Sequence, residues 1–157
     1  LLCGGLSFFD SITTAFATAG TGGFSVLNSG VSGYQSTYVN IVLAVFMFLF
    51  GINFNLYFLI LLGDIKQILK NSELKWFVSI VLVSAAIITV STLKMFDNVG
   101  KAIEPAFFYT TSFVSTTGFT YADVNINEWP VLSQAVLVTL MFIGGCAGST
   151  GGGLKVG

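Results

Sequence analysis

The chain has 157 residues, of which 54% are hydrophobic and 8% charged, and its mean hydropathy is +0.88. Soluble domains carry about 25% charged residues, so this composition argues against a soluble protein and favours one that lies in a bilayer. The net charge is −1, and neither Arg nor His occurs, so there is no basic face that would indicate nucleic-acid binding.

Two short uncharged stretches are predicted to be helices that enter the membrane and turn back. Residues 8–19 and 106–115 are rich in Thr, Ser and Phe. They are too short to span a bilayer, which takes about 20 residues, and their length suits a re-entrant segment. Each is followed directly by a Gly/Thr-rich run. We call residues 20–25 the first turn and residues 116–120 the second turn.

Three longer apolar stretches are predicted to span the membrane. They cover residues 38–63, 76–93 and 130–144, and the last continues into a glycine-rich run. The predicted order is short helix, turn, long helix, connector, long helix, short helix, turn, long helix. An offset of 95 residues places Gly23 on Gly118 and Thr21 on Thr116. Such internal repeats are common in membrane transporters.

The lysines predict the orientation of the chain. Three of them lie in the connector, residues 64–75, and Lys155 follows the last span. Only Lys94 and Lys101 lie on the other side, so the positive-inside bias places the connector in the cytoplasm. The turns then face outward beside an acidic rim that would attract cations. The rim comprises Asp97, Glu104, Asp123 and Glu128.

The two turns have the composition of a site that binds an alkali cation through backbone oxygens. A non-helical run at membrane depth is tolerated only inside protein or along a water-filled path. Its carbonyls can replace the hydration shell of a cation, and Thr hydroxyls can add oxygen ligands. Neither turn contains a carboxylate, which argues against calcium or magnesium. One such turn alone would be interpreted as an ordinary extracellular turn, but two related ones favour a pore.

The run over residues 144–155, here called the glycine-rich loop, is predicted to end the last helix within the membrane. Each glycine costs a helix about 1 kcal/mol relative to Ala, and six of the ten residues 144–153 are glycine. A flexible loop there is a natural gate. Helix packing through G-x-x-x-G, a flexible linker and a phosphate-binding loop are the alternatives. The phosphate-binding motif requires Gly directly followed by Lys and Ser/Thr, whereas Leu154 intervenes here.

Four segments resemble parts of the TrkH subunits of the Trk/Ktr/HKT potassium transporter superfamily. The glycine-rich loop closely resembles the intramembrane loop of that family, and the two turns resemble its filter turns. Residues 51–55, Gly-Ile-Asn-Phe-Asn, resemble a polar patch in an inner helix of the second repeat. The resemblance covers essentially the whole chain, and the long glycine motif is its most specific part.

The resemblance implies an all-α integral membrane fold of M1–P–M2 repeats, with three transmembrane helices and two re-entrant pore helices in this chain. Residues 1–63 would be the pore loop and M2 of the second repeat. Residues 64–75 would be the cytoplasmic connector. Residues 76–157 would be the third repeat, ending within M2. We therefore interpret the chain, which begins Leu1-Leu2-Cys3, as an internal part of a longer protein.

The resemblance also assigns roles to individual residues. The filter residues would be Thr21, Gly22, Gly23, Thr116, Thr117 and Gly118. The gate residues would be Gly144, Gly145, Gly148, Ser149, Thr150, Gly151, Gly152, Gly153 and Lys155, the last without a separate role. The expected partners are K⁺, the bilayer, the other repeats of the same protein, a cytoplasmic nucleotide-binding regulatory subunit and a second copy of the protein.

The leading hypothesis is potassium uptake across the cytoplasmic (inner) membrane by a multi-pass, channel-like protein without cofactor or covalent chemistry. A symporter that couples the cation to Na⁺ or H⁺ is the alternative. Proton coupling usually uses an intramembrane carboxylate or His, and the predicted spans contain neither. A membrane enzyme is less favoured, because there is no His to activate a nucleophile.

Overall fold

The computed structural model describes residues 1–121 and 124–156, excluding the side chain of Leu69. The described part of the chain is helical, with seven α-helices and an isolated bridge between Cys146 and Val156. The helices are α1 Phe8–Ala19, α2 Thr37–Phe50, α3 Phe54–Leu61, α4 Ile65–Lys70, α5 Ser72–Thr92, α6 Val99–Val114 and α7 Val131–Ile143. Short 3-10 helices cover Leu2–Gly4, Gly30–Tyr34, Leu93–Met95 and Ile126–Glu128.

Polar caps determine where several helices begin. The Ser7 hydroxyl accepts a hydrogen bond from the Asp10 amide at 3.1 Å, which starts α1. Asn71 and Asn98 cap α5 and α6 in the same way, with Oδ1 accepting from Leu74 and Lys101 amides at 2.8 and 2.9 Å. These side chains satisfy amides that have no partner within the helix.

The first short helix has the predicted bounds, whereas the second begins seven residues earlier than predicted. The prediction started at Ala106 because Lys101 and Glu104 interrupt the uncharged stretch. The structure extends α6 back to Val99 and includes Pro105 within the helix. Charged side chains are compatible with a helix whose first turns are solvated, so the absence of charge marked only the buried part of α6. Lys101 is exposed and pairs with Asp97 at 3.2 Å.

The stretch of residues 38–63 is not the single helix that the sequence predicts. It forms α2 and α3, which meet at an angle of 89° across the break at residues 51–53. Gly51 has a low helix propensity, and the Asn53 side chain accepts from the Asn55 amide at 2.9 Å to begin a new helix. The polar patch noted in the sequence is therefore a helix break, which we call the α2–α3 break.

Among the described residues, one helical segment is long and apolar enough to cross a membrane by itself, Ser72–Met95. The bent pair of α2 and α3 passes the same test of length and hydropathy when taken together. The third predicted span is the shorter apolar helix α7. It ends at Ile143, immediately before the glycine-rich loop, as predicted.

Helix α6 lies at the centre of the fold and packs against α2, α5 and α7. Its buried surface includes the hydroxyl side chains of Thr110, Thr111 and Ser112, alongside apolar residues. Two apolar clusters flank it. One joins α3, α5, α6 and α7, and the other joins α2 and the 3-10 helix Gly30–Tyr34 with Phe108 and Phe119. This packing places the second turn against the first half of the chain.

Candidate filter and gate

The two turns have the same backbone conformation at positions 95 residues apart. Thr21 and Thr116 have φ values of 48° and 58°, and Gly23 and Gly118 have values of 68° and 79°. A positive φ is common for glycine but is an outlier for a β-branched residue. The offset predicted from the sequence therefore relates the two turns in backbone geometry as well.

Hydrogen bonds at the ends of α1 and α6 explain the shared conformation. The Thr21 amide donates to the Thr18 carbonyl at 3.1 Å, and the Gly22 amide donates to the Ala17 carbonyl at 2.8 Å. The same pair of bonds recurs 95 residues later, from Thr116 to Phe113 at 3.1 Å and from Thr117 to Ser112 at 2.9 Å. This is the helix C-cap that glycine usually occupies, here with threonine in the left-handed position.

The two turns are in direct contact. A Cβ atom on Gly23 would overlap the carbonyl oxygen of Thr117, so only glycine fits at this position. Phe119, directly after Gly118, is 2% exposed and packs in the cluster formed by Val31, Val39 and their neighbours. The structure thus brings together Gly23 and Thr117, two residues that the sequence assigned to one filter.

The glycine-rich loop is hydrogen-bonded to both left-handed threonines. The Gly152 amide donates to Thr116 Oγ1 at 2.7 Å. The Thr21 hydroxyl lies 3.0 Å from the Thr150 carbonyl and 2.9 Å from the Gly20 carbonyl, to either of which it donates. A Cβ on Gly151 would come within 2.9 Å of the Ser115 carbonyl oxygen, so the loop approaches the end of α6 closely. The predicted gate therefore contacts the predicted filter.

The loop is also held by the α2–α3 break. The Cys146 amide donates to the Gly51 carbonyl at 2.9 Å, and the Phe54 amide donates to the Gly148 carbonyl at 3.1 Å. The exposed backbone groups of the break thereby find partners in the loop, which accounts for the sharp bend within an apolar stretch.

The remaining predicted gate residues shape the loop itself. The Ser149 hydroxyl donates to the Cys146 carbonyl at 2.7 Å, and the Lys155 ammonium donates to the Gly151 carbonyl. The two ends of the loop are in close contact, because a Cβ on Gly153 would lie 2.7 Å from the Gly144 Cα. Gly145 is buried and accepts from the Val156 amide at 3.0 Å. Lys155, for which the sequence suggested no separate role, thus closes the loop onto itself.

Two of the predicted filter residues are not enclosed by the contacts between the turns and the loop. Gly22 and Gly118 are exposed, and a Cβ on Gly118 would meet nothing within 4 Å in this chain. In the predicted acidic rim, Glu128 accepts from the Asn125 side chain at 3.1 Å, and Asp123 lies outside the described residues.

Sequence reasoning missed Glu73. Its carboxylate accepts hydrogen bonds from the Ala147 amide in the loop and from the Asn53 side chain in the α2–α3 break, the latter at 3.2 Å. The available signal was that Glu73 and Asp64 are the only acidic residues in a connector with three lysines.

The oxygen atoms that the two turns present belong to carbonyl and hydroxyl groups. Within residues 1–121 and 124–156, no group of three or more His, Cys, Asp or Glu side chains lies close enough together to hold a metal ion. The oxygen ligands that the turns offer are therefore neutral dipoles, which suit a weakly held monovalent cation.

A family model of cation transport proteins, TrkH, matches residues 3–156. The chain belongs to the TrkH family. It is 37% identical over 158 residues to the TrkH potassium uptake protein of Escherichia coli K12 and 36% identical over 155 residues to that of Salmonella typhimurium. Each match covers 97% of this chain but 32% of the relative, so the chain spans about one third of these TrkH proteins.

The fold also matches a solved TrkH structure. The crystal structure of the potassium transporter TrkH from Vibrio parahaemolyticus superposes with a TM-score of 0.88 at 31% identity. The match covers 97% of this chain and 33% of that one. The all-helical arrangement is therefore that of part of a TrkH transporter. TrkH is a family of transporters rather than of enzymes.

Proposed function

We propose that the chain forms part of a potassium uptake protein and that its two turns are half of a selectivity filter. The observation that carries this proposal is the contact between the turns: two backbone segments of the same conformation meet at Gly23 and Thr117. Membership of the TrkH family and the names of the relatives, Trk system potassium uptake proteins, support potassium as the substrate.

In this proposal the ion is held by backbone carbonyls of Thr21, Gly22, Thr116 and Thr117, with Gly23 and Gly118 allowing the close approach of the turns. Rings of carbonyl oxygens can replace the hydration shell of K⁺ at little cost. No cofactor takes part, and K⁺ is the cargo. The membrane potential, worth about 2.3 kcal/mol per charge per 100 mV, drives uptake.

The contacts between the turns support a circular arrangement of like units. Gly23 faces the following unit through Thr117, and Phe119 packs against the preceding unit. The equivalent positions one unit away, Gly118 and Phe24, are open in this chain. We propose that other repeats of the longer protein cover them and that four M1–P–M2 repeats complete the pore.

This arrangement assigns the parts of the chain. Residues 1–63 are the pore loop and M2 of one repeat, with the bent α2–α3 pair as M2. Residues 64–75 are a cytoplasmic connector in the inner membrane protein. Residues 76–157 are the next repeat, with α5 as M1, α6 as the pore helix and α7 as the start of M2. A cytoplasmic nucleotide-binding subunit and a second copy of the protein are the proposed partners.

We propose that the glycine-rich loop is the gate. It contacts both turns through Thr21 and Thr116 and is anchored on the α2–α3 break. These contacts are neutral hydrogen bonds, each worth about 1 kcal/mol net, so they can break without unfolding the helices.

The test is to replace Gly118 by Ser in the full-length protein and to measure K⁺/Na⁺ selectivity from reversal potentials in proteoliposomes. Selectivity should fall, because a side chain at this position enters the neighbouring unit of the filter. Gly63→Ser is the matched control: Gly63 has the same φ of 79° and open surroundings, but it lies outside the turns.

Two results would count against the proposal. Equal selectivity of the Gly118→Ser and wild-type proteins would remove the second turn from the filter. A reversal potential that follows a Na⁺ or H⁺ gradient at fixed K⁺ would indicate coupled symport instead of channel-like uptake.

A further inference from the structure

Glu73 connects three separate segments of the chain. It lies in the first turn of α5 and is half-buried. One carboxylate oxygen accepts from the Ala147 amide in the glycine-rich loop, and the other accepts from Asn53 Nδ2 at 3.2 Å. The start of α5, the loop and the α2–α3 break therefore converge on one side chain.

The Asn53 side chain is itself fixed by this arrangement. Its Oδ1 caps α3 by accepting from the Asn55 amide, so its Nδ2 is free to donate to Glu73. The loop lies so close that a Cβ on Gly148 would come within 2.9 Å of Asn53 Oδ1. Glu73 thus holds the loop directly through Ala147 and also orients the residue beneath Gly148.

The bonds to Glu73 differ in kind from the other bonds that seat the loop. Those to Thr116, Thr21 and Gly51 join neutral groups, whereas Glu73 is a carboxylate. Hydrogen bonds to an ionised group are roughly twice as strong as neutral ones. Within the described part of the chain, the ion pair found is Lys101–Asp97, so the charge of Glu73 is balanced by N–H dipoles and the start of α5.

We infer that Glu73 is a positioning residue that latches the glycine-rich loop in its seat. The loop leaves the seat only when the Ala147 amide separates from the carboxylate. Because Glu73 belongs to the connector end of α5, a displacement of that end releases the loop. The inference rests on the proposed role of the loop as a gate, but the latch is a structural claim that is measurable without ion flux.

Cys146 provides that measurement. It adjoins Ala147 and is fully buried while the loop is seated, whereas Cys3 is exposed. In the full-length protein with Cys146 as the only cysteine, the rate of modification by a small methanethiosulfonate reagent reports how often the loop opens. The Glu73 charge also acts on the Cys146 thiol, so the rate is measured over a range of pH, and only a faster rate at equal thiolate fraction counts as opening. Basal K⁺ flux is measured on the same samples.

The variants are Glu73→Gln and Glu73→Ala. Gln keeps the volume but loses the charge and one acceptor, so it remains informative if Ala prevents insertion. Asp10→Asn is the matched control, because Asp10 is the first-turn acid of α1 and lies outside the contacts that seat the loop. We expect modification of Cys146 to be at least fivefold faster in both Glu73 variants, with increased basal flux, and to be unchanged in Asp10→Asn.

The outcomes separate the latch from the gate. Faster modification with increased flux supports both. Faster modification with unchanged flux supports the latch and overturns the gating role of the loop. Modification of Cys146 at the wild-type rate in Glu73→Gln and in any inserted Glu73→Ala protein overturns the latch, and Glu73 would then serve only to stabilise the start of α5.

Discussion

The two turns share a backbone but differ in how it is supported. In the second turn, the Ser112 hydroxyl donates to the Phe119 carbonyl at 2.8 Å, and Ser115 Oγ lies 2.7 Å from Thr117 Oγ1. The equivalent residues of the first turn are Ala17, Gly20 and Gly22, which have no hydroxyl. One conformation is therefore reached with side-chain hydrogen bonds in one turn and without them in the other.

The surroundings of the turns differ in the same direction. Phe119 is 2% exposed, whereas its equivalent Phe24 is 80% exposed. Helix α6 is buried on most sides, while α1 presents Phe8, Phe9 and Phe16 at the surface. Phe119 of the second turn is covered by the first half of the chain. Phe24, at the equivalent position of the first turn, has no such cover in this chain. In the proposed circular arrangement, the exposed Phe24 is the surface that a further unit would cover.

Gly23→Ala should have the largest effect, because it tests the contact between the turns. An L-residue in the left-handed region costs roughly 1–2 kcal/mol, and the new Cβ would in addition overlap the Thr117 carbonyl oxygen. We expect K⁺ uptake by the full-length protein to fall at least about tenfold, which corresponds to 1.4 kcal/mol or more. Uptake of Rb⁺ by cells that lack other potassium systems measures this.

Gly5→Ala is the control for backbone strain at Gly23. Gly5 has a φ of 88°, and a Cβ there would meet nothing within 4 Å. Its alanine variant should lose little uptake. Equal losses in the two variants would mean that strain, and not the contact with Thr117, accounts for the effect at Gly23.

Phe24→Ala tests whether the first turn packs against a further unit. Because Phe24 is exposed in this chain, the substitution should leave the free energy of unfolding unchanged if nothing else covers Phe24. If Phe24 is buried in the longer protein as Phe119 is here, truncation should cost about 3 kcal/mol, as is typical of a buried Phe. Thermal unfolding of the full-length protein in detergent compares Phe24→Ala with Phe119→Ala. If Phe119→Ala lowers the melting temperature and Phe24→Ala leaves it unchanged, the circular arrangement is refuted.

The sequence was sufficient to predict the elements that depend on local composition. The bounds of α1 and the end of α7 before the glycine-rich loop follow from apolar length and from the glycine run. The offset of 95 residues followed from matching Gly23 to Gly118. The start of α6 differs from the prediction, because Lys101 and Glu104 interrupt the uncharged stretch without ending the helix. The composition of the turns and of the glycine-rich loop suggested a cation site and a gate, and the resemblance to a family assigned roles to their individual residues.

Contacts between distant residues were beyond sequence reasoning. The α2–α3 break is stabilised by the glycine-rich loop, about 95 residues away, through the hydrogen bond from the Cys146 amide to the Gly51 carbonyl. No local sequence pattern predicts this hydrogen bond. The left-handed conformation of Thr21 and Thr116 could not be predicted from the sequence either, because β-branched residues disfavour it. Glu73 fell within the predicted connector, outside the predicted spans. Each of these features becomes visible only when the loop is placed against its neighbours.

Thr116→Val should have the smallest of the three effects, and it tests how the turns hold the loop. Valine keeps the β-branched shape, and hence the backbone strain, but leaves the Gly152 amide without its acceptor. Because Gly152 is exposed and its amide can turn to water, losing that bond costs about 0.5–1.5 kcal/mol. Thr21→Val should cost less, because the single Thr21 hydroxyl proton is divided between the Gly20 and Thr150 carbonyls.

Basal K⁺ flux through the full-length protein should therefore rise by up to about tenfold in Thr116→Val and by less in Thr21→Val. Thr116→Ser, which restores the hydroxyl, should return the flux towards the wild-type level. Thr139→Val is the control, since the exposed Thr139 hydroxyl bonds only within its own helix, to Ala135 at 2.8 Å. A larger rise in Thr21→Val than in Thr116→Val would reverse the inferred difference between the turns, and the first turn would then be the main seat of the loop.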